Sequence, residues 1–175
     1  MGYSHYWSIP LAHPDYATAW PAIIDDTRRI IDVVRAAGVV IAGPDGYRRP
    51  VLDPVEGIAF NGDATTDLDY ETFLLTPPVP ADQTRTVGVC KTGRKPYDLA
   101  VAAVLLRCRL RLPGVFLLRS DGAWEQEWAR GVIPGVPAIP GAASGVGARR
   151  LVADLFGDMP QANPFHPTPL IGGAG

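Results

Sequence analysis

Proline and glycine interrupt this sequence so often that long regular elements fit in few places. The 175 residues include 19 glycines and 18 prolines, concentrated in loops and in the C-terminal part. Proline removes a backbone donor and glycine favours turns, so the segments between them are expected to be short strands, or helices that begin near a proline. Two stretches, one after Pro14 and one after Pro96, are suited to principal helices.

Both stretches have helical patterns. In the first, apolar residues recur three and four positions apart and mark one buried face: Trp20, Ile23, Ile24, Ile31 and Val34. Pro21 is expected to break the first turn or to start the main helix, and Gly38 to end it. The second helix is predicted from Pro96 to about Leu110 and is apolar on more than one side, which favours a central position.

Short strands account for much of the remaining chain. They are predicted at 3–9, 39–42, 57–60, 70–75, 84–91 and 115–118, with short helices at 121–130 and 149–156. Successive strands without helices between them favour antiparallel pairing. The sequence therefore predicts a single α+β domain, with a mixed, largely antiparallel sheet of about five to six strands and two main helices.

The C-terminal third differs in composition from the rest. We expect residues 1–156 to form the domain, with a Gly/Pro-rich, linker-like segment at 131–147. Residues 157–175 are expected to be a flexible tail.

Composition argues against several classes of function. The net charge of −2 speaks against a broad nucleic-acid surface. The longest apolar stretch, 99–106, is too short to cross a membrane, and no secretory signal is evident. The two cysteines cannot build a disulfide framework, and the three histidines lack metal-ligand spacing. We expect a cytoplasmic protein without a fixed metal site.

The segment CKTGRKPYD at 90–98 is the strongest functional signal. It is predicted to be a strand that runs into a helix, with Lys91, Arg94 and Lys95 at the turn and Asp98 in the first helical turn. Free backbone N–H groups and the helix dipole favour an anion at such a place. The alternative is that the two turn cations are merely solvated and that Asp98 only caps the helix.

Other polar residues are candidates for acid–base work. His5 is expected on one face of the first strand with Tyr3 and Trp7, either as a general acid or base or as a histidine held by packing. Glu71 is either a base in a partly apolar pocket or an exposed edge-strand charge.

Weaker candidates lie in turns and beside Lys91. Asn61 and Asp63 flank a turn whose commonest meaning is a hairpin, although Asp63 is a candidate for a pocket mouth. Lys91 beside Cys90 favours a lowered thiol pKa. No second histidine is placed to activate the thiol, so we do not expect a cysteine nucleophile.

The first functional hypothesis combines these residues. A small anionic, phosphorylated or nucleotide-like molecule binds the cations, aromatic side chains stack on its ring, and hydrolysis or group transfer uses His5, Glu71 and Asp98. The candidate stacking residues are Tyr6, Trp7 and Tyr97. The alternative is a non-catalytic module that sequesters a ligand or binds another protein.

Five motifs taken together resemble a known family. GYSHYW, FNGD, YETF, CKTGRKPYD and SDGAWEQEW follow one another in the order typical of a family of small uncharacterised proteins from phages, microbes and some fungi. The resemblance covers roughly residues 1–130. The chain departs from the family pattern at Gly93, where alanine is expected. The resemblance implies no activity.

Overall fold

The computed structural model describes residues 2–80, 85–130, 146–160 and 162–170. Helices and antiparallel strands confirm the predicted single α+β domain. In chain order the elements are β1 (Ser4–Pro10), α1 (Pro14–Ala36), β2 (Val51–Asp53), β3 (Gly57–Phe60), a 3₁₀ turn (Ala64–Thr66), β4 (Phe73–Leu75), β5 (Arg85–Lys91), α2 (Asp98–Arg111), β6 (Leu117–Ser120), α3 (Glu127–Arg130) and α4 (Ala148–Phe156).

The strands form two three-stranded sheets rather than one larger sheet. Their orders are β5-β1-β6 and β2-β3-β4, and every pair is antiparallel. The two sheets approach where the Glu71 N–H donates to the Lys91 carbonyl at 3.2 Å. Beyond this contact, a groove of about 250 Å³ lies between β4 and β5.

Helix α1 runs through Pro21 without a break, so the expected interruption there is wrong. It begins at Pro14, where the Nδ1 of His13 accepts the Asp15 N–H at 3.2 Å. Proline leaves the carbonyl four residues earlier without its helical donor. That residue, Ala17, is exposed, as is Pro21 itself, so water can satisfy the carbonyl.

The predicted strand at 39–42 is reduced to a single bridge between Ala42 and Asn61. The carbonyl of Ile41 accepts instead from the Arg35 guanidinium at 2.5 Å, and the chain turns sharply at Gly43. The short strand β2 lies between Pro50 and Pro54 and was not predicted.

Helix α2 is at the centre of the core, as its apolar pattern predicts. Every residue from Leu99 to Leu106 is buried, and α1 and α4 both pack against this helix. Among the described residues, no helix is long and apolar enough to cross a membrane.

Residue alternation divides the first sheet into a core face and an outer face. His5 and Trp7 of β1 lie opposite Cys90 and Gly88 of β5, so all four positions share the core face, from which His5 reaches Asp98 of α2. A Cβ on Gly88 would lie 2.1 Å from the Trp7 ring. The glycine therefore gives the indole its place in the core.

Part of the predicted tail lies against the domain. The Phe165 ring is centred 5.0 Å from that of Trp128, and the His166 N–H donates to the Leu118 carbonyl at 2.7 Å. The last five residues of the predicted tail, 171–175, lie outside the described residues, as do 131–145 of the predicted linker.

A buried ion cluster ties α1 to the end of α2. Asp26 Oδ2 accepts from Nε of Arg107 at 2.7 Å and of Arg111 at 2.5 Å. Burial alone would raise the pKa of the Asp26 carboxyl, but the two guanidinium groups outweigh it and hold this pKa below its usual value.

This cluster predicts a contrast between neighbouring residues. Asp26→Asn should lower the free energy of unfolding by about 2–3 kcal/mol, because the Arg111 guanidinium loses its anion and Arg107 keeps only its longer contact with Asp158, at 3.3 Å, among the described residues. Asp25→Asn is the matched control: its carboxylate is 72% exposed and pairs with the exposed Arg28, so the expected loss is below about 0.5 kcal/mol. Urea unfolding measures both.

The pH dependence of this contrast follows from the lowered pKa of Asp26. The carboxylate stabilises the fold fully above the unfolded-state pKa of about 4, and this contribution is lost as pH falls through the lower folded-state pKa. The difference between wild type and Asp26→Asn should therefore shrink in acid. A difference that stays constant down to about pH 2 would contradict this account.

Candidate functional site

His5 is at the centre of a polar cluster inside the domain. Its side chain is 0% exposed. Nε2 lies 2.7 Å from Oδ1 of Asp98, and Nδ1 lies 2.9 Å from Oγ of Ser120. Ser120 faces His5 across the pairing of β1 with β6, whereas Asp98 is the first residue of α2. The fold thus joins residues that are 93 and 115 positions apart from His5.

Asp98 has a second partner within the cluster. Thr92, which is itself fully buried, donates its hydroxyl to the same Oδ1 at 2.5 Å. The carboxylate lies at the start of α2, where the helix dipole favours a negative charge. The side chain remains 16% exposed, so Asp98 is the member of the His5–Asp98 pair that solvent reaches.

Two aromatic rings enclose the imidazole. Tyr3 and Trp128 meet it edge to face, with centroids at 5.3 and 5.4 Å. Trp128 Nε1 donates to Ser120 Oγ at 3.0 Å, and the Gly122 N–H donates to the same oxygen at 2.9 Å. We call these residues the His5 cluster: Tyr3, His5, Thr92, Asp98, Ser120 and Trp128.

Arg94 and Glu127 border the cluster. The Arg94 guanidinium lies 4.2 Å from the centre of the Tyr3 ring and 3.4 Å from the Glu127 carboxylate. Gly93 and Arg94 both have a left-handed backbone, with φ of 58° and 60°. Such a conformation is unusual for arginine and costs about 1 kcal/mol. The turn therefore holds Arg94 in a backbone conformation that is unfavourable for this residue type.

Charges at the border shift two pKa values. Burial, and then the carboxylates of Asp98 and Glu127, raise the pKa of Tyr3 above its usual value, so its hydroxyl stays protonated. Burial alone would also raise the pKa of Glu127. The N–H donors of Glu127 and Ala123, together with Arg94, outweigh it and lower this pKa. Glu127 is therefore ionised at neutral pH.

The structure does not bring the three predicted cations to one point. Lys91 belongs to the outer face of its sheet, opposite the core face with His5, and its Nζ lies 5.4 Å from the centre of the Tyr70 ring. Lys95 donates to the Asp67 carbonyl and lies 3.7 Å from its carboxylate. Arg94 is the cation that borders the His5 cluster.

Glu71 does not join His5 and Asp98. It is exposed, and its carboxylate accepts the Lys91 N–H at 2.7 Å. The Glu71 carbonyl accepts from the Tyr97 hydroxyl at 2.7 Å and from the Cys90 thiol at 3.4 Å. Tyr97 is buried, so its ring supports the turn and is not open to a ligand.

Asn61 and Asp63 are engaged within their own loop. Asn61 is buried and bonds through its amide to both backbone groups of Tyr70. Asp63 accepts the N–H and hydroxyl of Thr65 and the hydroxyl of Thr66, and so caps the 3₁₀ turn. These contacts organise the loop that packs beside Tyr97.

The two remaining aromatic candidates lie on opposite faces of β1. Trp7 is buried beside Phe73, with ring centroids at 5.2 Å. Its indole forms the floor of the groove between β4 and β5, which is walled by Leu74, Val87 and Val89. Tyr6 is half-buried and, by alternation, belongs to the outer face. Neither borders the His5 cluster.

Ser120 and Thr92 of the cluster, and Glu127 at its border, received no site assignment from the sequence. Ser120 occurs in a triplet typical of a turn and helix cap, Thr92 is one residue of a charged turn, and Glu127 lies in a short helix. No local pattern distinguishes them, because each comes to the site only through strand pairing or helix packing. Trp128 is buried and packs against Phe165, so it offers no exposed surface for a partner.

Metal coordination has no support in the described part of the chain. There, no group of three or more His, Cys, Asp or Glu side chains is placed to hold an ion.

Comparison with known proteins does not assign a family. No protein-family model matches the chain, and no solved structure matches it significantly. A stretch of 51 residues is 37% identical to o-succinylbenzoate synthase of Klebsiella pneumoniae (strain 342). This stretch covers 29% of the chain and 15% of that enzyme. The shared segment is too short to carry over a fold or an activity.

Thiol reactivity offers a direct check on the interior of the site. Burial raises the pKa of Cys90 to about 12, despite the neighbouring Lys91, and that of Cys108 to about 12. Both thiols should therefore resist Ellman's reagent in the native protein at about pH 8. Concentrated urea should release both cysteines for reaction, and Cys90→Ser should leave one. Rapid labelling of native Cys90 would contradict this burial.

Proposed function

We propose that the protein binds a small anionic molecule, phosphorylated and nucleotide-like, beside the His5 cluster and acts on it by hydrolysis or group transfer. In this proposal Arg94 holds the anion and Asp98 is the general base. His5 lies on the buried side of Asp98 and orients its carboxylate through their hydrogen bond.

The observation that carries the proposal is the pairing of a fully buried histidine with a carboxylate that solvent still reaches. Burying polar and ionisable groups costs free energy unless every partner is supplied. Here Thr92, Ser120 and Trp128 supply those partners. Convergent polar groups of this kind are more frequent at functional sites than elsewhere.

Arg94 supports an anionic ligand. Its side chain is 38% exposed, and one face of the guanidinium is stacked on Tyr3. The contact with Glu127, at 3.4 Å, is longer than a good charge-assisted hydrogen bond. A phosphate or carboxylate can replace Glu127 and bind in the two-pronged manner that guanidinium favours.

The chemistry assigned to Asp98 is proton transfer. In hydrolysis, a water oxygen bonds to the electrophilic phosphorus or carbon while Asp98 accepts a water proton. The leaving oxygen departs with the electron pair of the broken bond and takes up a proton from solvent. Arg94 stabilises the negative charge that develops on the reacting group.

Three of the five motifs behind the family resemblance also support this location. The motif at 2–7 supplies Tyr3 and His5, the one at 90–98 supplies Thr92, Arg94 and Asp98, and the one at 120–128 supplies the rest: Ser120, Glu127 and Trp128. We propose that the chain belongs to the family that these motifs resemble and that the family shares this site.

A non-catalytic binding protein is the second candidate. Both ring nitrogens of His5 are engaged, which suits a rigid support as well as a catalytic pair. For either candidate we propose a cytoplasmic location, because two buried cysteines that form no disulfide are typical of a reducing compartment.

Binding measurements test the role of Arg94. Calorimetry with inorganic phosphate, AMP and ADP should detect binding to wild type. Arg94→Ala should weaken it about 10- to 100-fold, because a charge-assisted hydrogen bond is lost. Arg28→Ala is the control, since Arg28 is exposed and pairs with Asp25 on the same helix. Equal affinity of wild type and Arg94→Ala, or no binding of any probe to wild type, would contradict the anion site.

Turnover separates the two candidate functions. After long incubation with ADP, mass spectrometry should show product with wild type, and Asp98→Asn should slow its formation at least about 100-fold. Asp67→Asn is the matched control, because its carboxylate is 99% exposed. A bound ligand that stays intact would favour the non-catalytic binder.

A further inference from the structure

Ser120, His5 and Asp98 form a continuous hydrogen-bonded series of the kind used by serine nucleophiles. Ser120 Oγ is 2.9 Å from one ring nitrogen of His5, and Asp98 is 2.7 Å from the other. An activated serine needs a lone pair that can reach the substrate. The hydrogen bonds of Ser120 decide whether it has one.

A serine hydroxyl has two lone pairs and one proton. The Gly122 N–H and the Trp128 indole N–H both point at Ser120 Oγ, at 2.9 and 3.0 Å. Neither of these groups can accept a hydrogen bond. Both lone pairs are therefore occupied, and the hydroxyl proton remains for the third contact, the Nδ1 of His5.

This assignment fixes the state of His5. Because Nδ1 accepts a hydrogen bond from Ser120, the ring proton is on Nε2, which donates to Asp98 Oδ1. The Thr92 hydroxyl donates to the same oxygen, so Asp98 is the acceptor at the end of the series. If Nδ1 carried a proton, its N–H would point at Ser120 Oγ, whose two lone pairs are already occupied by other donors.

We propose that Ser120 is a positioning residue and not a nucleophile: it holds the ring proton of His5 on Nε2, directed at Asp98. This inference rests on the proposed function only in naming Asp98 as the base. The direction of each hydrogen bond follows from the donors within hydrogen-bond distance of Ser120 and Asp98.

Trp128 has a defined part in this arrangement. Its indole N–H occupies one of the two lone pairs of Ser120. Trp124 provides a natural comparison: it is equally buried, lies 6.1 Å from Trp128 between ring centroids, and its Nε1 has no partner among the described residues. Replacing each tryptophan by phenylalanine separates the hydrogen bond from the loss of ring volume.

Long-range ¹⁵N–¹H NMR of the histidine rings tests the proposal in the intact protein. His13→Gln and His166→Gln identify the His5 signals. At neutral pH, wild-type His5 should carry its proton on Nε2 alone. A proton on Nδ1, alone or together with Nε2, would overturn the proposal without any change to the cluster.

The tryptophan variants sharpen the test. Trp128→Phe frees a lone pair of Ser120, so the ratio of His5 rings with a proton on Nδ1 to those without one should rise about fivefold, the equivalent of one hydrogen bond. Trp124→Phe should leave this ratio unchanged. An equal response to both would overturn the role of Trp128.

Chemical labelling tests the second half of the proposal. An alkyl fluorophosphonate bonds to an activated serine oxygen with loss of fluoride, and the hydroxyl proton passes to the neighbouring base. Intact-mass analysis should show no such adduct on wild type, and a labelled Ser120 in peptide mapping would overturn the proposal. If phosphate, AMP and ADP all fail to bind while NMR finds the Nε2 proton, the proposed function falls and the hydrogen-bond assignment stands.

Discussion

The hydrogen bonds of His5 connect three parts of the chain that are remote in sequence. They join β1 to the end of β6 through Ser120 and to the first residue of α2 through Asp98. With the histidine fully buried, each lost partner would leave an unpaired polar atom inside the domain, which typically costs about 1–3 kcal/mol. This one side chain therefore helps to hold the start of the central helix against its sheet.

A second ionic contact holds the other end of the same helix. Asp98 lies at the start of α2, whereas Arg107 and Arg111, near its end, bind Asp26 of α1. Both arrangements stabilise the helix dipole, because the acidic side chain lies at the start of the helix and the basic side chains lie near its end. Between them the helix is buried on every side. Apolar packing gives α2 its place in the core, and the two polar clusters set its direction and register.

The same arrangement gives the candidate site its asymmetry. The inner side consists of buried groups that hydrogen-bond to one another, and the outer side is formed by Asp98, Arg94 and Glu127, which solvent reaches. A rigid interior behind exposed charges is what preorganised binding or proton transfer requires. The predicted cluster of three cations is replaced by Arg94 alone, because Lys91 lies on the other face of the sheet and Lys95 is held by Asp67.

Local pattern in the sequence was enough to predict the α+β class, the antiparallel pairing, the burial of α2 and the shared face of Tyr3, His5 and Trp7, because each depends on residues close in the chain. The pattern around Pro21 was misleading, since Ala17 and Pro21 are exposed and solvent can reach the carbonyl that proline leaves without its helical donor. The division into two sheets and the meeting of His5 with Ser120 and Asp98 were decided by tertiary structure. They depend on strand register and helix packing over more than ninety residues, and no short-range periodicity encodes such distances.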